Sequence, residues 1–142
     1  MDTIQRIPKT DLARNTSQII RKVQRGQTIL VENHGQPEAA ILDILDYRIL
    51  RAVLSYHRYM PAVNPEGLSV QDLQTLEDPQ DKFDLTIAHY LSGAISLAHT
   101  AELLELPALN LQTRFIRLDV PVHLGAEDEE DARAEVDAAR KF

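Results

Sequence analysis

The chain has 142 residues, no cysteine, and 44% hydrophobic against 26% charged residues. That is the composition of a globular protein, and it excludes disulfides, thiolate catalysis and Cys-ligated zinc. The formal charge of −7 is unevenly spread: residues 1–60 carry nine Lys/Arg against six Asp/Glu, and residues 61–142 carry six against sixteen. A mildly basic part suited to phosphates thus precedes an acidic part suited to a basic protein.

In chain order, TIQRI (3–7) alternates apolar and polar residues and predicts a short strand. Thr10 and Asp11 can cap a short helix toward Asn15, and a second helix begins at Thr16 or Ser17. Its residues Ile19, Ile20 and Val23 lie at helical spacing, with Gly26 placed as a C′ glycine. QTILVENHGQPEAAILDI reads as strand, turn and strand, with Asn33-His34-Gly35 at the turn. DYRILRAVLSYHRYM then predicts an amphipathic helix on which Leu45, Ile49 and Val53, with Leu50 and Leu54, form two adjacent rows. The order is β-α-α-β-β-α over residues 1–60. A unit this small buries little core alone, so Ile49, Leu50, Val53 and Leu54 are expected to meet a second copy, giving a homodimer or a higher homo-oligomer.

Pro61, Pro65 and Gly67 mark a linker over residues 61–80, holding one short helix, SVQDLQTLED, capped by Ser69 and Asp72 and ended by Pro79. A helical unit over residues 81–142 follows. Phe83, Ile87, Tyr90 and Leu91 form the stripe of its first helix, which Gly93 ends. Ser96 caps a second helix with Leu97, Ala101 and Leu104 on its face. Pro107 opens a third, PALNLQTRFIRL. A strand-like VPVHL and a charged helix, EEDARAEVDAARKF, complete the chain. The fold class expected is α+β, a mixed first unit joined to a mostly helical second one with a helix-turn-helix-like pair.

Arg14, Asn15, Thr16, Ser17 and Gln18 gather charge, amide and hydroxyl groups at one helix boundary. Arg21, Lys22 and Arg25 continue the basic surface, and Lys9 lies just upstream. Arginine, asparagine and glutamine read base edges, while hydroxyls, lysines and helix N-terminal amides hold phosphates. The run Glu127, Asp128, Glu129, Glu130, Asp131 suits either a helix N-terminus or a cationic surface on a partner. His89, His99 and His123 lack metal-ligand spacing. Ser92 and Ser96 read as loop and cap rather than nucleophiles, and no glycine-rich phosphate loop appears, so neither an enzyme nor a cofactor is expected.

The stretch LARNTSQIIRKVQRGQTILVENHGQPEAAILDILDYRIL resembles the Phd/YefM antitoxins over about residues 2–58. The likeness rests on Ala13-Arg14, the Ser17 segment, the Gly26 turn, the hairpin His34-Gly35-Gln36-Pro37 and Asp46-Tyr47. It implies a dimer that sits on palindromic operator DNA and represses its own operon. Members usually place basic residues around the hairpin's His-Gly, where this chain has Asn33 and Gln36. Residues from about 82 to 138 resemble a group of small antitoxin-like proteins with a helix-turn-helix core, on Tyr90-Leu91-Ser92-Gly93, Ile95-Ser96-Leu97, Ala101-Glu102-Leu103-Leu104 and Val120-Pro121-Val122. That group favours glycine where this chain has Glu105, and a polar cap where it has Pro107. Its resemblance implies a toxin partner, with PIN-domain-like ribonucleases as one kind. The expectation is a cytoplasmic type II antitoxin with no membrane segment, since no 18-residue apolar run exists and MDTIQRIPKTDL lacks a leader pattern. It would bind operator DNA and a cognate toxin, with Glu127–Asp131 as the toxin-facing candidates. The alternative is a protein–protein adaptor on the same dimer fold that does not bind DNA.

Overall fold

A computed structural model describes residues 4–123. They form β1 (Ile4–Pro8), α1 (Lys9–Arg14), α2 (Thr16–Gln24), β2 (Thr28–Asn33), β3 (Gln36–Ile41), α3 (Ile44–Tyr59), α4 (Val70–Gln74), α5 (Pro79–Leu91), α6 (Leu97–Leu103) and α7 (Ala108–Arg117). The architecture is α+β, with one three-stranded sheet and seven helices among the described residues. Two compact units divide at Tyr47/Arg48, so α3 passes from one into the other.

The first unit is a two-layer arrangement. Its sheet has the order β1-β2-β3, β1 parallel and β3 antiparallel to the central β2. Parallel neighbours need a crossover, and α1 and α2 supply it. Period-two alternation puts Ile29 and Val31 on one face of β2, opposite Gln5 and Ile7 of β1. Onto that face α2 lays Ile19 and Val23, four residues apart, and Leu12 and Ile41 close the rim. Each of these buried side chains contributes about 1.5–3 kcal/mol of transfer free energy. The hairpin between β2 and β3 turns on two residues, His34 (φ +53°) and Gly35 (φ +77°), with Asn33 paired to Gln36. Two positive φ values match the right-handed twist of the strands, which explains a glycine at the second position. A register shift beside Glu32 leaves Glu38 outside the ladder, as the extra residue of a bulge. At the sheet's end the Asp43 carboxylate accepts the Leu45 N–H (3.1 Å) and starts α3.

The second unit is built around α5. Five consecutive residues, Thr86 to Tyr90, are buried, so the helix faces apolar neighbours on more sides than the expected stripe of Phe83, Ile87 and Tyr90. Asp78 caps it through the Gln80 N–H (2.9 Å), and Gly93 closes it: the Gly93 N–H reaches the Tyr90 carbonyl and the Ala94 N–H the His89 carbonyl. Leu97, Ala101 and Leu103 of α6 and Leu111 and Phe115 of α7 complete the core. The stretch expected as a linker belongs to this unit, adding buried Leu68 and Leu73. Two histidines pin its backbone. His89 donates from Nδ1 to the Leu85 carbonyl (2.8 Å), leaving Nε2 to accept the Asn64 N–H (3.1 Å), and His99 Nε2 donates to the Leu68 carbonyl (2.6 Å).

Three local expectations are corrected. Thr10 and Asp11 do not cap α1, which starts at Lys9 behind Pro8 with no side-chain cap and holds both residues in its first turn. Pro79 does not end the 69–78 helix: α4 stops at Gln74, and Pro79 occupies the first turn of α5, where a missing N–H costs nothing. Val120–His123 is not a strand, because among the described residues no neighbouring strand offers a ladder. It is held by the buried Tyr90 instead, whose hydroxyl donates to the Pro121 carbonyl (2.6 Å) and accepts the His123 N–H (3.1 Å), with the His123 ring stacked at 4.3 Å. The charged C-terminal helix lies outside the described residues.

Two positions carry strain that substitution should relieve. Glu105 ends α6 at φ +58°, its N–H on the Glu102 carbonyl and the Leu106 N–H on the Ala101 carbonyl, a wrap that normally takes glycine. Glu105→Gly is expected to stabilise the chain by about 0.5–1 kcal/mol, the relief of the left-handed backbone less the extra freedom glycine gives the unfolded chain. Thr86 is fully buried and its hydroxyl has no hydrogen-bond partner among the described residues. Thr86→Val, of similar shape, is expected to add about 1 kcal/mol. Urea unfolding of each variant measures both.

Candidate functional site

Because α2 spends only Ile19 and Val23 on the core, the rest of its surface is free for polar groups. Ser17, Gln18, Arg21, Gln24 and Arg25 lie opposite that buried pair at helical spacing, and all are exposed. Lys9, Arg14, Asn15, Thr16 and Lys22 are exposed as well, so all nine expected DNA-binding residues lie on the surface of the α1–α2 segment.

Asn15 is the joint between the helices. Its φ/ψ of −125°/34° is non-helical, its N–H bonds the Asp11 carbonyl (2.9 Å) and its carbonyl accepts the Ile19 N–H (3.0 Å). One residue therefore serves as C-cap of α1 and N-cap of α2. No side chain caps α2, and the Thr16 hydroxyl turns back to the Leu12 carbonyl (2.6 Å), so the first-turn amides face outward uncapped. Arg14, Arg21, Lys22 and Arg25 form no ion pair among the described residues, which leaves one open cation next to those amides and three toward the far end of α2. The arrangement can hold anionic oxygens and present amide and guanidinium donors to a planar acceptor edge.

Lys9 differs. Its ammonium meets the Glu38 carboxylate at 3.2 Å, and the Asn33 side-chain amide donates to the same carboxylate at 3.0 Å. The Asn33 amide first, and Lys9 after it, hold the Glu38 carboxyl below the usual glutamate range. The hairpin thus offers an internally paired acid. Arg6 is likewise matched to Glu32, at 3.5 Å.

The remaining expected residues are distributed as follows. On α3, Ile49 is fully buried, Leu50 and Val53 are half-buried, and Leu54 is 65% exposed. Glu127, Asp128, Glu129, Glu130 and Asp131 lie outside the described residues. On α7, Arg114 is buried, its Nε donating to Asn110 Oδ1 (2.8 Å), so it is no groove reader. The outward stripe there is Leu109, Thr113 and Ile116, mostly apolar. Ser96 caps α6 through the His99 N–H (3.0 Å), and Ser92 Oγ donates to the His89 carbonyl (2.9 Å). Among the described residues no cluster of His, Asp and Glu could hold a metal ion, and no helix is long and apolar enough to cross a membrane. The sequence reading passed over an open cavity in the second unit flanked by Arg51, Ser55 and Arg58, whose signal was the i, i+4, i+7 spacing of those residues on one helix.

No family model, curated protein or solved structure matches the chain.

The Glu38 pairing has a consequence for pH. Its folded carboxyl titrates below its unfolded one, so the carboxylate stabilises the fold at neutral pH, and that stabilisation is lost as the pH falls through the folded value. Glu38→Gln is expected to lower the plateau near pH 7 slightly and so to flatten the acid limb of the unfolding midpoint against pH, as followed by circular dichroism.

Proposed function

We propose that the chain is a type II antitoxin whose first unit binds operator DNA as a dimer and represses its own operon, and whose acidic second part neutralises a toxin by stoichiometric binding. One observation carries the DNA half: the unpaired cations of α1 and α2 share a surface with the uncapped amides of α2 and the side chains of Asn15, Ser17 and Gln18. In this reading Arg21, Lys22 and Arg25 hold phosphates and supply salt-dependent affinity, while Arg14 with Asn15 supplies base preference. Lys9 contributes less, since Glu38 already neutralises it. Two-fold symmetry of a dimer matches a pseudo-palindromic site, and toxin occupancy alters operator affinity by linkage.

A second reading, an adaptor that binds only proteins, draws on the α7 stripe, where Leu109 is 74% and Ile116 61% exposed. Such a surface suits a protein partner better than a phosphate backbone.

Mobility shifts of the full chain on its own upstream DNA and on random DNA, across a salt series, separate the two. The expected outcome is preference for upstream DNA, with affinity falling steeply as salt rises. Lys22→Ala weakens both DNAs alike and lowers the salt slope by about one, whereas Arg14→Ala costs about 1–3 kcal/mol on upstream DNA alone. Equal losses on both DNAs from Arg14→Ala overturn its base-reading role, and no shift at low salt selects the adaptor.

A further inference from the structure

The second half of α3 carries a feature that the operator reading leaves unused. Arg51, Ser55 and Arg58 follow one another at i, i+4 and i+7, so their side chains emerge along one stripe of the helix. They line an open cavity of about 340 Å³ together with Leu54, Tyr59 and, from α5, Asp84. Its two walls are braced within the unit: the Gln80 side-chain amide donates to the Arg48 carbonyl (2.9 Å) and to Asp84 Oδ1 (3.0 Å).

The charges in this cavity are open. Neither Arg51 nor Arg58 forms an ion pair among the described residues. The Arg58 guanidinium sits 5.3 Å from the centre of the Tyr59 ring, an arrangement that steadies the side chain without consuming its hydrogen-bond donors. Two guanidiniums two turns apart, with a hydroxyl between them, present planar forks to a tetrahedral anion seated over Ser55. Asp84 has one oxygen on Gln80 and stands across from the cations as an acceptor, which an anion alone would not use. The occupant that satisfies both sides has a phosphoryl group and, within a few ångströms, a hydroxyl or amino donor. The volume matches a small ligand of that kind.

We propose that Arg51, Ser55 and Arg58 form a phosphate-binding site, with Asp84 receiving a donor from the same ligand, and that the ligand class is a nucleotide, free or within a single strand. The site belongs to the second unit, and its test is independent of operator binding.

The full chain is titrated by calorimetry with inorganic phosphate, with adenosine and guanosine 5′-monophosphates, and with a short single-stranded oligonucleotide. At least one nucleotide is expected to bind with a dissociation constant on the order of 0.1–1 mM, tighter than inorganic phosphate. Arg51→Gln and Arg58→Gln, both at exposed positions, each weaken it by about tenfold, the loss of one charge-assisted pair. Asp84→Asn separates the roles by sign, since it weakens the nucleotide but strengthens inorganic phosphate by removing a repelling charge. An oligonucleotide binding more than about tenfold tighter than the monophosphates, with that excess lost in Arg51→Gln and Arg58→Gln but kept in Lys22→Ala, identifies a strand as the source, and equal affinity identifies the free nucleotide; both support the site, whereas an excess that Lys22→Ala alone removes belongs to the first unit. Should either glutamine variant unfold, as thermal melting would show, the lysine variant at that position is expected to keep the fold and lose part of the affinity. The proposal is overturned if no nucleotide binds at millimolar concentration, if the arginine variants bind within twofold of the parent, or if Asp84→Asn moves nucleotide and inorganic phosphate in the same direction.

Discussion

The packing of Ile19 and Val23 against Ile29 and Val31 is the constraint on which the first unit depends. Two side chains one turn apart orient α2 on the sheet, and no other residue of α2 is buried. A helix held by so narrow a stripe has most of its circumference left for polar groups, and this chain fills it with arginine, lysine, glutamine and serine. The same economy sets a cost. The core is small, so losing Val23 alone would remove a large fraction of what fixes the orientation of Arg21 and Arg25. The polar surface is therefore only as well positioned as those few apolar contacts allow.

The second unit holds its irregular stretch differently, with buried side chains of its helices that reach out to backbone groups. The stretch 61–69 has two prolines and little regular structure, and apart from the Gly67 N–H on the Asn64 carbonyl its backbone groups turn to side chains. His89 accepts from one of them and His99 donates to another, opposite uses of one side-chain type. Tyr90 serves Pro121 and His123 in the same way, with one hydroxyl acting as donor and acceptor. Histidines that lack metal-ligand spacing thus act as backbone partners, the use that a buried imidazole with two ring nitrogens allows.

Element types and order were legible because local signals were strong: period two in TILVEN, the Ile19/Val23 spacing, the glycines after α2 and α5, and the Ser69–Asp72 capping box, which is present with both of its hydrogen bonds. Glu105 was legible as a misfit, and its φ is positive where glycine was wanted. Pro79 was misread because a proline that stops one helix and one that starts the next leave the same local trace; the Asp78 cap decides between them. The burial of Arg114 and the pairing of Lys9 with Glu38 were illegible, because they depend on residues brought together by folding rather than on spacing.

Charge shows the same division between what composition tells and what folding decides. An acidic average argues against a nucleic-acid surface, yet an average gives every charge the same weight. In the first unit Asp43 and Asp46 are buried at the start of α3, where the Asp43 carboxylate accepts the Leu45 N–H, while Glu32 and Glu38 are matched to Arg6 and Lys9. Arg14, Arg21, Lys22 and Arg25 form no such pairs among the described residues, so their charges stay open on that surface. Each ion pair cancels one cation with one anion, whereas burial takes Asp43 and Asp46 off the surface, and what a partner meets is the remainder. For this chain that remainder is a cationic face on the first unit, within an acidic whole.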